Sequence, residues 1–320
     1  MTTTPRSSLM VGQRLADGGQ GNVFALMNDA QQVFKEYHTP DHPAFRPDTL
    51  RQLVTERSKI RCEGTGIEAW TAWPLSVVTD GPRTVGFLMR RAPSDFILEV
   101  GGERKLADLG FLGSQPKLIW GKVQLPTVPD RIVIVRDLAR VMDALHQQNI
   151  VIGDLSFANV LWAGPPQPRI MMLDCDGLRY EGREPVLPQA ETPDWDDPQA
   201  KPHTRTKPTI DRDRYKLALA VLRVLTTSLD ARPTPTTSLD PALFEQPDQA
   251  LRVQDLLRRA GGSVGSRPTA KEWMQVLSPR PFTPVTPPSQ HRPINAPPPR
   301  PDLLGVSEAR IYHPVRPPGS

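Results

Sequence analysis

The sequence predicts an α+β protein that ends in a disordered, proline-rich tail. Three observations carry this. Over the first ninety residues, short apolar runs are split by glycine and proline turns. From residue 130 onward, apolar residues recur at helical spacing. Of the 37 prolines, thirteen lie between residues 278 and 320. Proline fixes φ and lacks a backbone donor, so that tail cannot hold a helix or a central strand.

The elements follow in order. Residues 1–8 read as a flexible arm. Residues 11–26, VGQRLADGGQGNVFAL, run apolar, glycine-rich and apolar again, a hairpin signal. Residues 32–37 make a third short strand. Asp48 is the expected N-cap of a helix in which Leu50, Leu53, Val54 and Ile60 recur at helical spacing. Residues 70–78 and 84–89 predict two more strands, split by Asp80-Gly81-Pro82. Residues 130–148 predict an amphipathic helix whose apolar face runs from Ile132 to Leu145. Short apolar segments at 150–152 and 160–162 precede a buried strand at 170–173. Residues 174–210 are polar, proline-rich and without period, a length that points to a functional loop. Helices are expected at 215–225, 253–260 and 269–277.

Composition excludes several function classes. The chain has 39 basic and 35 acidic residues, but five arginines and only two acids lie beyond residue 277. The remainder is almost neutral, which argues against a nucleic-acid-binding face. Two cysteines, Cys62 and Cys175, are too few for a disulfide framework or zinc cage, and predict reduced thiols in a cytoplasmic protein. Six scattered histidines offer no ligand spacing. There is no apolar run of membrane-spanning length, and the N-terminus lacks an apolar signal core.

Four motifs stand in sequence. The first is the turn Ala16-Asp17-Gly18-Gly19-Gln20-Gly21-Asn22-Val23. The second is Lys35 at the end of an apolar strand, in VFKEY, followed by Glu56 in LVTERSKI. The third is Leu145-His146, then Gly153-Asp154-Leu155-Ser156-Phe157-Ala158-Asn159. The fourth is Met171-Met172-Leu173-Asp174-Cys175-Asp176-Gly177. Taken singly, each fits an ordinary turn, a solvent-facing lysine or a cap. Their order and spacing make the case.

In that order they resemble the motifs of the protein kinase superfamily, over residues 9–277. The resemblance implies a two-lobed protein-kinase-like fold, with an N-lobe at 9–89, a hinge at 90–92 and a C-lobe at 93–277. Gly18, Gly21 and Val23 match the family's G-x-G-x-x-G-x-V, with Ala16 in place of the first glycine. There the backbone would approach nucleotide phosphates and Val23 would cover the adenine. Lys35 would hold the α- and β-phosphates and pair with Glu56, or with Glu63 as the alternative. Met89 would be the gatekeeper, and the backbone at Arg90 and Ala92 would meet the adenine edge. Asp154 would be the base and Asn159 and Asp174 would hold Mg²⁺, with Asp176 as a rival or additional ligand. Asp213 would anchor the loop around Asp154. Gln199 of Trp195-Asp196-Asp197-Pro198-Gln199 would meet Arg267 through a neutral hydrogen bond.

The loop also departs from the family. Ile152-Gly153 replaces His-Arg, Ser156 replaces a lysine and Cys175 replaces an aromatic residue. The Gly-Asp-Leu form resembles bacterial kinase-like proteins of the tellurium-resistance phosphorylation triads and the helix-hairpin-helix-linked kinases. It is also similar to loops of aminoglycoside phosphotransferases. The resemblance implies an ATP- and Mg²⁺-dependent serine/threonine protein kinase with a protein substrate and a phosphatase or von Willebrand-type partner. A nucleotide-binding pseudokinase or scaffold and a small-molecule kinase are the alternatives. In the tail, Pro284-Val285-Thr286-Pro287 and Pro298-Pro299-Arg300-Pro301 fit either polyproline II ligands or a spacer.

Overall fold

The computed structural model describes residues 2–189, 192–200 and 207–279; the predicted tail lies outside them. The fold is α+β. Its first part holds β1 (Thr3–Pro5), β2 (Val11–Asp17), β3 (Gly21–Leu26), β4 (Gln32–Tyr37), α1 (Pro47–Glu56), the minor hairpin β5 (Arg61–Cys62) and β6 (Thr65–Gly66), β7 (Pro74–Asp80) and β8 (Arg83–Arg90). Six of these strands form one mixed sheet in the order β1-β7-β8-β4-β3-β2. Registers Val23↔Lys35 and Lys35↔Phe87 place Lys35 in the middle of that sheet. Gly21 lies against the Glu36 carbonyl, in the space a Cβ would need, so glycine lets β3 and β4 close at the turn.

The second part holds β9 (Ile97–Val100), β10 (Glu103–Leu106), α2 (Gly110–Gly113), α3 (Val128–His146), β11 (Ile150–Val151), β12 (Val160–Ala163), β13 (Arg169–Met172), β14 (Arg179–Tyr180), α4 (Ile210–Thr226), α5 (Pro247–Ala260) and α6 (Ala270–Leu277). A Thr127–Asp130 capping box starts α3, and a Thr269–Glu272 box starts α6. Each contributes about 1 kcal/mol by satisfying orphan N–H groups. The buried stripe of α3 (Ile134, Val135, Leu138, Val141, Met142, Leu145) packs into the main core with Tyr215, Val221, Val224 and Trp273. Among the described residues no helix is long and apolar enough to cross a membrane.

Several expectations need correction. Within the arm expected at residues 1–8, the described residues 2–8 are not free: β1 runs parallel to β7, pairing Thr3 with Val77. Side chains hold it there, through a 2.7 Å bond between the Thr4 and Ser76 hydroxyls and a 2.9 Å Arg6–Glu36 ion pair. Isolated polar residues carried no period by which to see this. Asp48 is not the N-cap. The helix begins at Pro47, and Asp48 lies in its first turn, paired with Arg51 at 2.8 Å. The strand expected at 70–78 begins only at Pro74, because Trp73 turns inward and its indole donates to the Leu53 carbonyl. The β9–β10 hairpin was missed, although Gly101 and Gly102, with φ +61° and +82°, are the residues a tight hairpin turn demands. Helices α4 and α5 start five and six residues earlier than their apolar stripes, at Ile210 and Pro247.

Candidate functional site

All the expected catalytic and ligand-binding residues except Glu56 and Asp176 line one cavity of about 790 Å³ between the sheet and the helical part. Ala16, Gly18, Gly21 and Val23 line it from the β2–β3 turn. Met89, Arg90 and Ala92 line it from the end of β8 and the chain beyond. Lys35 lines it from β4, and Asp154, Asn159 and Asp174 line it from the two loops that flank β12 and β13. The β9–β10 hairpin adds Ile97, Arg104, Lys105 and Leu106, which the sequence reading did not place there.

The β12–β13 ladder explains how two of these groups meet. Its register Val160↔Met172 sets Asn159 beside the exit of β13, and the Leu173 N–H donates to the Asn159 carbonyl at 2.8 Å. Asn159 Nδ2 donates to the Asp154 carbonyl at 2.9 Å, so its amide is oriented by the loop it belongs to. Asp174 then takes a left-handed conformation, φ +53°, which a short polar residue tolerates better than most. That kink leaves the Asp174 side chain 34% exposed towards the cavity, whereas Asp176, two residues on, is fully buried.

This geometry separates the two aspartates. Lys35 Nζ sits 2.6 Å from Asp174 Oδ1 and 2.8 Å from Asp176 Oδ1. The other Asp176 oxygen accepts the Tyr37 hydroxyl at 3.1 Å. Both oxygens of Asp176 are therefore engaged inside the protein, and it does not line the cavity. Of the two carboxylates expected as metal ligands, Asp174 lines the cavity and Asp176 lies behind it on Lys35. Burial raises the Asp176 carboxyl above its usual range, while Lys35 and Tyr37 oppose that rise. Burial alone would lower the Lys35 pKa, but Asp176 and Asp174 outweigh it and hold the ammonium charged. Tyr37 is raised well above its usual value by burial and by Asp176, so the phenol keeps its proton.

The expected Lys35–Glu56 pair is absent. Glu56 is the last residue of α1, off the Leu50–Leu53–Val54 face that meets the core, and it pairs with Lys59 at 2.7 Å. The alternative, Glu63, pairs with Arg140 at 3.0 Å. The Gln199–Arg267 contact is also corrected. Arg267 makes a bidentate pair with Asp197, 2.8 Å on each nitrogen, with both side chains fully buried, and Gln199 bonds instead to the Gly261 carbonyl.

The loop around Asp154 is held from α4. Asp213 accepts the Ile152 and Gly153 N–H groups at 2.7 and 2.9 Å, as expected of it. Lys216, unexpected from sequence, donates to the Gly153 carbonyl at 2.7 Å. Burial lowers the Lys216 pKa, against the attraction of Asp154 and Asp213. Gly153 has φ +77°, and the buried Arg179 guanidinium fills the position its Cβ would take. Ser156 is buried and does not line the cavity.

Thr192 was also missed. Its Oγ donates to Asp154 Oδ1 at 2.8 Å, and its N–H to the same oxygen at 3.2 Å. The residues are 38 apart in sequence, and no local pattern links them. The two thiols are free and buried. Burial pushes Cys62 up to about 12 and raises Cys175 further, so neither is a nucleophile at neutral pH.

Among the described residues no cluster of three or more His, Cys, Asp or Glu has the geometry of a metal cage. One carboxylate and one amide oxygen, Asp174 and Asn159, are instead the sparse hard-donor set that suits Mg²⁺ completed by phosphates and water. No family model and no curated protein sequence matches this chain.

Proposed function

We propose that the protein is a two-lobed protein-kinase-like enzyme that transfers the γ-phosphate of ATP to serine or threonine hydroxyls of a protein substrate. The observation that carries this is the Thr192 hydroxyl donating to Asp154 at 2.8 Å, beside a cavity that also holds Lys35, Asn159 and Asp174. A carboxylate that accepts a threonine hydroxyl is placed for the proton transfer that phosphoryl transfer to such a group requires. Mg²⁺ held by Asn159 and Asp174 would neutralise charge on the phosphates.

Lys35 would hold the α- and β-phosphates, and the Gly18–Gly21 turn would present backbone N–H groups to them. The chain from Met89 to Ala92 would take the adenine edge. The acceptor oxygen would bond to the γ-phosphorus as the bond to the ADP oxygen breaks, and the hydroxyl proton would pass to the Asp154 carboxylate. The test is phosphate transfer from radiolabelled ATP to the protein itself or to a generic protein substrate. Asp154→Asn is expected to lower the rate by about a thousandfold while nucleotide binding persists. Labelling that is absent in the wild type, or unchanged in Asp154→Asn, would sink the reading.

A second reading, a nucleotide-binding scaffold without transfer activity, has one specific observation in its favour. Ser156 is buried where the family places a lysine, so that position supplies no charge to the γ-phosphate. Nucleotide binding without transfer would select it. The small-molecule kinase reading fits less well, since Thr192, in the long segment between β14 and α4, lies on the proposed base.

A further inference from the structure

We propose that Tyr37 is a positioning residue for phosphate binding: with Asp176 it clamps Lys35 from within the sheet, in place of any carboxylate on α1. The inference rests on the nucleotide reading above. Lys35 and Tyr37 are two apart on β4, so their side chains leave the same face of the sheet. Both reach Asp176, Lys35 on Oδ1 at 2.8 Å and Tyr37 on Oδ2 at 3.1 Å. Asp176 is fully buried and Lys35 nearly so. The Tyr37 ring is fixed in turn by an edge contact with Phe45, centroids 5.2 Å apart, and by Phe87 at 5.9 Å. Phe87 also lies under the Lys35 ammonium, 5.8 Å from centroid to nitrogen.

Lys35 makes its other contact, at 2.6 Å, with Asp174, the carboxylate that faces the cavity. A cation held there would draw charge from that contact. Asp176 has no such exposure, and the Tyr37 phenol fixes the carboxylate that keeps Lys35 extended. A buried carboxylate whose second oxygen lost its donor would be free to rotate and would hold the ammonium less well. The helix that would otherwise control Lys35 is disengaged, because Glu56 is committed to Lys59. Placement of Lys35 thus depends on β4 and the 174–177 turn, not on how α1 sits.

The experiment measures, on the full chain, affinity for a non-hydrolysable ATP analogue with Mg²⁺ and, separately, for adenosine. Tyr37→Phe keeps both ring contacts and removes only the hydroxyl. The expected result is an analogue affinity weakened about fivefold, with adenosine affinity held within about twofold. Asp176→Asn is the second variant, expected to weaken the analogue more than Tyr37→Phe does and to spare adenosine likewise. Glu56→Gln is expected to change neither. Equal losses for both ligands would mean a merely structural role, and unchanged affinities in both clamp variants would mean no role; either overturns the proposal. If the wild type binds neither ligand, the nucleotide reading itself fails and takes the clamp with it.

Discussion

Single residues here are chosen by what surrounds them. Gly153 has φ +77° with a guanidinium occupying the Cβ direction, so any side chain meets both backbone strain and Arg179. Gly153→Ala is expected to cost about 2–4 kcal/mol in urea unfolding, well beyond an ordinary surface change. A cost under about 1 kcal/mol would show that the 152–154 turn relaxes freely. Asp174 stores a smaller strain of the same kind, and it is spent on turning one carboxylate to the cavity while the next aspartate is buried. The two carboxylates of Asp174-Cys175-Asp176 look equivalent as letters. Both pair with Lys35, and burial alone separates them, one facing the cavity and the other wholly enclosed.

Elements show the same division of labour. Helix α4 buries charged residues as well as apolar ones, and Asp213 and Lys216 near its start spend their charges on the backbone at 152–153. Helix α6 shows what a cap contributes. The Glu272 carboxylate would be raised by burial. Bonds from the Thr269 N–H and hydroxyl, and the Arg259 guanidinium at 2.8 Å, outweigh that and hold it below its usual 4.5. Because the folded value is the lower one, the stabilisation is present above pH 4.5 and is lost as pH falls through the folded value. Glu272→Gln is therefore expected to cost about 0.5–1 kcal/mol at pH 7, little because the group is partly exposed, and almost nothing once pH has fallen below the folded value. Thermal melts of both proteins across that range would check it; a cost that does not shrink in acid would mean the carboxylate charge is irrelevant to the cap.

At the scale of the whole molecule, the sheet is completed by the first residues of the chain. Deleting residues 2–8 removes β1, the Thr4–Ser76 bond and the Arg6–Glu36 pair, and uncovers the β7 edge. The melting temperature is expected to fall by about 3–6 °C in calorimetry. No change would restore the free-arm reading. The sequence by itself determined the α+β class, the glycine turn, Lys35 on its strand, the long helix before residue 150, and the Asp154, Asn159 and Asp174 positions. These are legible because each depends on local order: apolar period, turn chemistry and fixed spacing along one stretch of chain. Only the tertiary structure decided that Lys35 pairs with Asp176 and not Glu56, that Tyr37 backs that pair, that Arg267 meets Asp197, and that Thr192 reaches Asp154. Those contacts join residues 38 to 141 positions apart, and the choice among several carboxylates of equal charge is made by which one the packing buries within reach.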